Sequence, residues 1–354
     1  MTTDTVAESF TALFGEAANA TCFAPGRVNL LGEHIDSHGG HVLPMALPFG
    51  ISLAAAAIDG DHDRIASAQF DDIAQYRCGA PKTGHWSDYI AGALETARSQ
   101  GWLAGAAAIY CDSAIPVGAG LSSSAATIIA VLKAFAPDNL AATDLATLAQ
   151  SVEHDFIGMP CGIMDQMAIA VPAPGEILLL DCRSLEYERL PLPSDWDIAV
   201  VHSGQHRALA DGRYRQRIEE AGRARQLLGL TWLTDLARED TLPALQDPVL
   251  SRRVRHIASE EARVMQAVEA LRNGNATAFG ALMQIGHHSM VKDFDASTPE
   301  IDRLVADAVE AGAHGARITG AGFGGCIVAL LPRGEKGQWW RKVSTIHAKA
   351  SLLF

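Results

Sequence analysis

The chain has 354 residues, 48% of them apolar and 19% charged, with a formal net charge of −13. That is too long for one ordinary core and predicts two packed domains in a soluble globular protein. An acidic surface repels nucleic-acid phosphates and anionic lipid headgroups, so no nucleic acid and no membrane are expected as partners; an anionic nucleotide stays admissible, because a helix dipole or Mg2+ reverses the field locally.

In chain order, residues 7–14 read as a short helix, and residues 21–23 and 42–44 as strand pieces around a glycine-rich loop. Residues 51–58 predict a strand, although their alanines leave the type open. Residues 86–98 carry helical spacing at Trp86, Tyr89, Ile90, Ala93 and Leu94. A buried strand follows at 106–111, a buried helix at 123–135, a helix at 142–156 and a strand at 177–181. Two prolines in Leu190-Pro191-Leu192-Pro193-Ser194 cannot continue a helix or a central strand. They predict the junction between an N-terminal domain, 1–190, and a C-terminal domain, 195–354. Beyond it lie a strand at 198–201, a charged helix at 212–228 and a helix at 251–273 with Arg and Glu spread over its exposed face. Helices at 276–292 and 299–311, the latter capped by Ser297 or Thr298, precede a strand at 326–331. The class is α+β. Six cysteines without a C-x-x-C pair read as reduced thiols. Residues 1–20 hold no Lys or Arg, and no apolar run is long enough to span a bilayer, so a cytoplasmic protein is expected.

Four segments carry chemistry. Residues 24–40 bring Arg27, Glu33, His34, Asp36 and His38 together among glycines. Carboxylate, imidazole and guanidinium converging in an irregular loop suit the gripping of sugar hydroxyls. Metal binding by Glu33, His34, Asp36, His38 and His41 is an alternative, opposed by Gly39 and Gly40, which prevent a helix that would align the imidazoles; a plain polar turn is another. The second segment, Gly118-Ala119-Gly120-Leu121-Ser122-Ser123-Ser124-Ala125-Ala126, follows a strand and opens a helix. Its glycines let backbone approach a ligand, its serines can cap or donate, and a helix N-terminus attracts phosphate. It lacks the Gly-Lys-Ser/Thr of a P-loop. In the third segment Asp165 sits among apolar residues, which is costly for an acid unless it is paired or used; an N-cap role is the plain alternative. The fourth, Arg317-Ile318-Thr319-Gly320-Ala321-Gly322-Phe323-Gly324-Gly325-Cys326, is a glycine loop leading into a strand, unlike a dinucleotide fingerprint.

Together these segments resemble the galactose, homoserine, mevalonate and phosphomevalonate (GHMP) kinase superfamily, and within it the galactokinase family. Residues 26–36 are similar to the signature Gly-Arg-Val-Asn-Leu-x-Gly-Glu-His-x-Asp, residues 118–126 to the superfamily's phosphate loop and residues 317–326 to its third motif. Gly158-Met159-Pro160-Cys161-Gly162-Ile163-Met164-Asp165-Gln166 and Ser297-Thr298-Pro299-Glu300-Ile301-Asp302 are further matches, and the resemblance runs from about Phe10 to Leu331. It implies a two-domain sugar kinase with its active site between the domains, moving the γ-phosphoryl of ATP to the 1-hydroxyl of D-galactose with Mg2+. Asp165 would act as base, with Arg27 beside it. Glu33, His34, Asp36, Gly162 and Tyr214 would bind the sugar, Glu33 near the 6-hydroxyl. Gly118, Gly120, Leu121, Ser122, Ser123, Ser124 and Ala125 would hold ATP, with Trp86 on the adenine and Ser123 and Glu153 on Mg2+. A monomer with small-molecule partners only is expected.

The chain departs from the family in Ile35-Asp36-Ser37-His38, where Thr-Asp-Tyr-Asn is usual, in His206-Arg207, where Arg-His is usual, and in a C-terminal tail, residues 339–354, without a counterpart. The alternatives are a uronic-acid or pentose 1-kinase and a non-catalytic sensor of galactose and ATP. The carboxylate of Glu33 opposes a uronic acid, and the complete serine loop with Asp165 opposes the sensor.

Overall fold

The computed structural model describes residues 3–171, 175–205 and 210–354. The chain divides into two compact units. The first comprises Met1–Arg27, Ala46–Val117 and Ser122–Pro172, the second Val28–Met45, Gly118–Leu121 and Ala173–Phe354. The backbone therefore passes between units after residues 27, 45, 117, 121 and 172, and the proline segment at 190–194 falls inside the second unit.

In the first unit α1 (Thr3–Phe14) and β1 (Ala20–Asn29) lead, by way of β2 (His41–Val42) in the second unit, to the long strand β3 (Pro44–Ile58). The hairpin β4 (His62–Ser67) and β5 (Phe70–Arg77) follows, then α2 (Asp88–Ser99) and β6 (Ala106–Ser113). β6 pairs antiparallel with β3 from Ile51↔Ser113 to Ile58↔Ala106, and parallel with β4. The alanines that leave 51–58 ambiguous are a packing solution. Val6 and Phe10 of α1 lie on Ala54, Ala56 and Ala108, and small side chains let the helix come close. Leu53 and Ile109 on the opposite face are also fully buried, so this strand carries no alternation to read. Burying Val6 and Phe10 contributes about 1.5–3 kcal/mol each. The strand piece expected at 21–23 is the start of a longer run, β1, which continues through Pro25 and Gly26 to Asn29, and that expected at 42–44 straddles the end of the two-residue β2 and the first residue of β3.

After β6 come α3 (Ser123–Phe135), α4 (Ala142–Ser151) and α5 (Met164–Ala170). The helix expected over 142–156 changes pitch, running as α-helix to Ser151 and then as a π-helical turn, Val152–Ile157.

The second unit holds β7 (Glu176–Asp181), β8 (Tyr187–Pro191), β9 (Trp196–His202), α6 (Ala210–Leu228), α7 (Pro248–Arg272), α8 (Ala276–Ser289), α9 (Pro299–Glu310), β10 (Gly315–Ile318), β11 (Cys326–Pro332), α10 (Lys336–Ile346) and β12 (Ser351–Leu352). β7 pairs with β2, and with β3 at Met45↔Ile177. β8 lies outside β7, where Pro191 opposite Glu176 ends an edge ladder that needs no further donor; that is why prolines stand here without a domain boundary. A second sheet runs β10-β11-β9-β12, antiparallel throughout. The tail, residues 339–354, is therefore part of the fold. Trp339 of α10 is buried and donates through Nε1 to the Ala308 carbonyl at 2.8 Å, and β12 extends the sheet. Asp247 caps α7, accepting from the amides of Val249 and Leu250 with Pro248 at the first position. Thr298 caps α9, accepting from Ile301 at 3.3 Å, while Ser297 donates to Asp302 instead. Among the described residues no helix is long and apolar enough to cross a membrane.

Candidate active site

In the first unit the chemistry collects around Asp165. It stands one residue inside α5, whose N-cap is Ile163, so it is not the cap. Arg27, at the end of this unit's part of β1, grips the carboxylate with a two-pronged fork: Nε to Oδ1 at 2.7 Å and Nη2 to Oδ2 at 2.8 Å. A bidentate guanidinium fixes the plane of the carboxylate as well as its place. Arg27 is buried while Asp165 is part exposed, so the acid faces the open side of the pair. The Ser122 hydroxyl also donates to Asp165 Oδ2.

That bond explains the backbone of the serine loop. Ser122 holds φ 61° and ψ 44°, left-handed for a residue with a Cβ, and makes no cap hydrogen bond to α3. The conformation costs about 1–2 kcal/mol and turns the side chain onto Asp165 rather than onto the helix it precedes. Gly118 at φ 74° and Gly120 at φ 75° set the same alternation upstream. Left-handed residues at every second position turn successive amides to one side, the arrangement of an anion nest, and α3 adds its N-terminal dipole. Ser123, Ser124 and Ala125 form the first turn of α3, with Ser123 exposed; Leu121 and Ala125 are buried and anchor the loop. Of the residues expected to hold phosphate, Ser122 is thus committed to Asp165.

Glu153 lies in the π-helical turn and is buried. Gln166, next to Asp165, donates to it, and Cys161 Sγ lies 3.6 Å from its Oε2. Burial pushes its carboxyl up and the charge of Asp165 adds to this, while hydrogen bonds from Ser124, Cys161 and Gln166 oppose it. A divalent cation would satisfy such a carboxylate, which fits the expectation for Glu153; Ser123 is exposed at the helix start beside Ser124. Among the described residues no group of three or more His, Cys, Asp or Glu could hold a metal by itself, so a cation here must take other ligands from its substrate and from water. Gly162 lies in the turn before α5, in this same unit. Trp86 falls in the turn before α2 rather than within the helix. It stacks on Phe70 at 4.5 Å and 9°, meets the His85 ring at 5.3 Å and donates through Nε1 to Asp72 at 3.2 Å.

In the second unit Glu33 is buried, and its carboxylate accepts from the Gly320 amide at 2.9 Å. The third glycine motif, between β10 and β11, therefore meets the first. Asn29 and Thr319 add a reciprocal bond, backbone amide to Oγ1 at 3.1 Å and Oγ1 to carbonyl at 3.0 Å. His34, at φ 62°, lies against Phe294 at 4.5 Å, and Tyr214 of α6 tilts against it at 5.6 Å. Asp36 opens a 3-10 turn, Asp36–His38. Arg27, Asp165, Ser122, Glu153 and Gly162 are thus assembled in the first unit, and Glu33, His34, Asp36 and Tyr214 in the second.

The helix expected over 251–273 to carry its charges outward does so only in part: Arg255, Glu269 and Arg272 are exposed, but a second set turns inward. Arg253, His256, Glu260 and Arg263 of α7 are buried. Glu260 accepts from Gly32 N at 3.0 Å, Glu33 N at 3.3 Å, Arg317 Nη1 at 2.7 Å and Arg263 Nε at 2.8 Å. Burial alone would raise its carboxyl, but Arg317 and Arg263 reverse this and hold it well below the ordinary carboxylate range. His256 donates through Nε2 to the Glu33 carbonyl at 3.0 Å. Removing one partner of such a buried pair costs about 3–5 kcal/mol.

Two departures from the signature point away from solvent. Ile35 is fully buried against Gly40, and His38 is buried, with Thr234 Oγ1 donating to its carbonyl at 2.8 Å. Both shape the inner side of the turn. His206 and Arg207 lie outside the described residues.

A serine-rich helix start, a carboxylate forked by arginine and a glycine motif leading into a central strand of a second sheet define a kinase of the GHMP type. The GHMP kinases N terminal domain matches residues 88–172 and the GHMP kinases C terminal domain residues 267–347. Mevalonate kinase of Methanococcus jannaschii shares the fold, with a TM-score of 0.70 at 19% identity over 94% of this chain and 96% of that one. The galactokinase galactose-binding signature matches residues 8–57. Galactokinases of two Haemophilus influenzae strains, PittEE and KW20/Rd, are 37% and 38% identical over 339 residues, 91% of this chain and 88% of theirs. The structure of Lactococcus lactis galactokinase complexed with galactose superposes with a TM-score of 0.90 at 29% identity, covering 99% of this chain and 96% of that one. The chain belongs to the galactokinase family.

Proposed function

We infer that this protein is an ATP-dependent galactokinase that phosphorylates D-galactose at the 1-hydroxyl, giving galactose 1-phosphate and ADP. The observation that carries the reading is the Arg27–Asp165 fork beside Ser122. A carboxylate offers about four lone-pair positions. Three are used by Arg27 and Ser122, which leaves one for a hydroxyl. Asp165 receives the proton of the 1-hydroxyl as the phosphoryl bond forms, and Arg27 keeps its oxygens aimed. The nest over Gly118–Leu121 and the N-terminus of α3 balance phosphate charge, so a P-loop lysine is not needed. Trp86 offers its face to adenine. Glu33, His34, Asp36, Gly162 and Tyr214 bind the sugar hydroxyls, with Glu33 at the 6-hydroxyl. Bound Mg2+, held by Glu153 and Ser123 together with the nucleotide, supplies neutralisation of the transferring charge.

Six cysteines without a C-x-x-C pair in a chain of 354 residues suit a reduced, cytoplasmic setting. A monomer is the working state, checked by sedimentation equilibrium. The decisive experiment measures ADP release with Mg·ATP and a panel of free sugars, for wild type and Asp165→Asn. Turnover on galactose that falls about 10²–10⁴-fold in the variant is expected. Turnover on galacturonate or arabinose in preference to galactose would move the substrate assignment, and ligand binding without any ADP would replace the enzyme by a sensor.

A further inference from the structure

Glu33 is held from three sides, and two of the holders were not foreseen from sequence. Its neighbours Gly32, at φ 96°, and His34, at φ 62°, are both left-handed. A backbone bent twice around one residue has no regular structure to hold it and needs external partners. α7 supplies them. Glu260 takes the Gly32 and Glu33 amides, and His256, one turn earlier on the same face, gives its Nε2–H to the Glu33 carbonyl. The side chain is fixed by the Gly320 amide, and Gly320 lies three residues beyond Arg317, which itself pairs with Glu260 at 2.7 Å. Glu260 thus closes a ring through the peptide of residue 33, its carboxylate, the third glycine motif and Arg317.

A second feature points the same way. α8 carries Gly286 where a Cβ would approach Arg317 Nη1 to 2.8 Å and Glu260 Oε2 to 3.2 Å. A glycine inside a helix weakens it relative to alanine, and here its missing side chain is the room the ion pair occupies.

We propose that Glu260, acting with Arg317, is a specificity-determining positioning residue: it fixes the peptide of residue 33 so that the Glu33 carboxylate meets the hydroxyl at C6 of the sugar. This rests on the assignment of Glu33 to that hydroxyl. A residue with only a structural role would alter all substrates alike. A positioning residue for one hydroxyl alters the ratio between a sugar that has it and one that lacks it.

The test compares kcat/KM for D-galactose and 6-deoxy-D-galactose with Mg·ATP, using the full chain as wild type, Glu33→Gln, Glu260→Gln and Glu260→Asp. Glu260→Asp keeps the charge that Arg317 and Arg263 need and withdraws the acceptor from the two amides, so it remains informative if Glu260→Gln does not fold. The galactose preference is expected to fall about tenfold or more in Glu33→Gln, the size of one hydrogen bond to a charged group. It should fall in the same direction in both Glu260 variants, with the 6-deoxy sugar nearly unaffected. Equal losses on both sugars in the Glu260 variants, beside a collapsed preference in Glu33→Gln, would overturn the proposal and leave the Glu33 assignment standing. An unchanged preference in Glu33→Gln would overturn the assignment and the proposal together.

Discussion

At the scale of single residues, buried ionisable groups give this protein a pH signature. Burial pushes the His38 ring down to about 4, with the charges of Arg225 and His256 adding to it. Burial also pushes His256 down to about 4, against the pull of Glu260. An unfolded histidine titrates near 6.5. Between about pH 6.5 and 4 the unfolded chain therefore binds more protons than the folded one, so the stability these rings support is complete above pH 6.5 and is lost as pH falls through that window. His38→Asn, which restores the residue usual in the family, should flatten the dependence of the urea midpoint on pH by about one proton; an unchanged slope would mean that His38 is not kept neutral. Arg27 and Asp165 were legible in sequence because both stand in motifs. Glu260 was not, because a helical wheel assigns charges to solvent by default. A signal was present: residues 253, 256, 260 and 263 are spaced 3, 4 and 3 apart, alongside the apolar stripe of Leu250, Val254, Ile257 and Val264. Charges that keep step with a core stripe are candidates for buried pairs.

At the scale of elements, the long helices were readable to within a few residues, and of their caps Thr298 was named, with Ser297, as a candidate while Asp247 and Asn275 were not; the failures have physical causes. β4 and β5 were missed because β5, at an edge, buries only Tyr76 among mostly polar residues, and β8 because its proline reads as a breaker. The change of pitch after Ser151 leaves no mark in periodicity, yet it decides where Glu153 points. The turn packs closely on Gly92 in α2, where a Cβ would stand 2.7 Å from Phe156 Cδ1 and 2.8 Å from Val152 Cγ1. Both contacts lie in the π-helical turn, on either side of Glu153. Such turns inside helices recur at functional sites. Gly92→Ala should therefore cost about 1–3 kcal/mol through overpacking and should also raise the Mg2+ concentration needed for half-maximal rate. Thermal melts and Mg2+ titrations check the two effects, and a stability loss with an unchanged Mg2+ requirement would separate the turn from the metal.

At the scale of the whole molecule, the two units are each assembled from separated stretches of chain. Residues 28–45 belong to the second unit. There His41 bonds to Glu261 through its amide and through Nδ1, both at 2.8 Å, while Gly32 and Glu33 satisfy Glu260. A fragment beginning after the proline segment, residues 195–354, lacks those partners as well as β7 and β8. It should show no cooperative melt by circular dichroism, whereas the full chain should. A sharp transition in the fragment would show that the exchanged segment is dispensable.

The same exchange has a consequence in time. Residue 41 leaves the ribosome 220 residues before its partner at 261. At about 5–20 residues per second that is a wait of roughly 11–44 s. The segment that marks the family is made early and shaped late. A synonymous codon that slows elongation before residue 260 would lengthen that interval, and with it the exposure of an unassembled sugar loop, while leaving the finished enzyme unchanged.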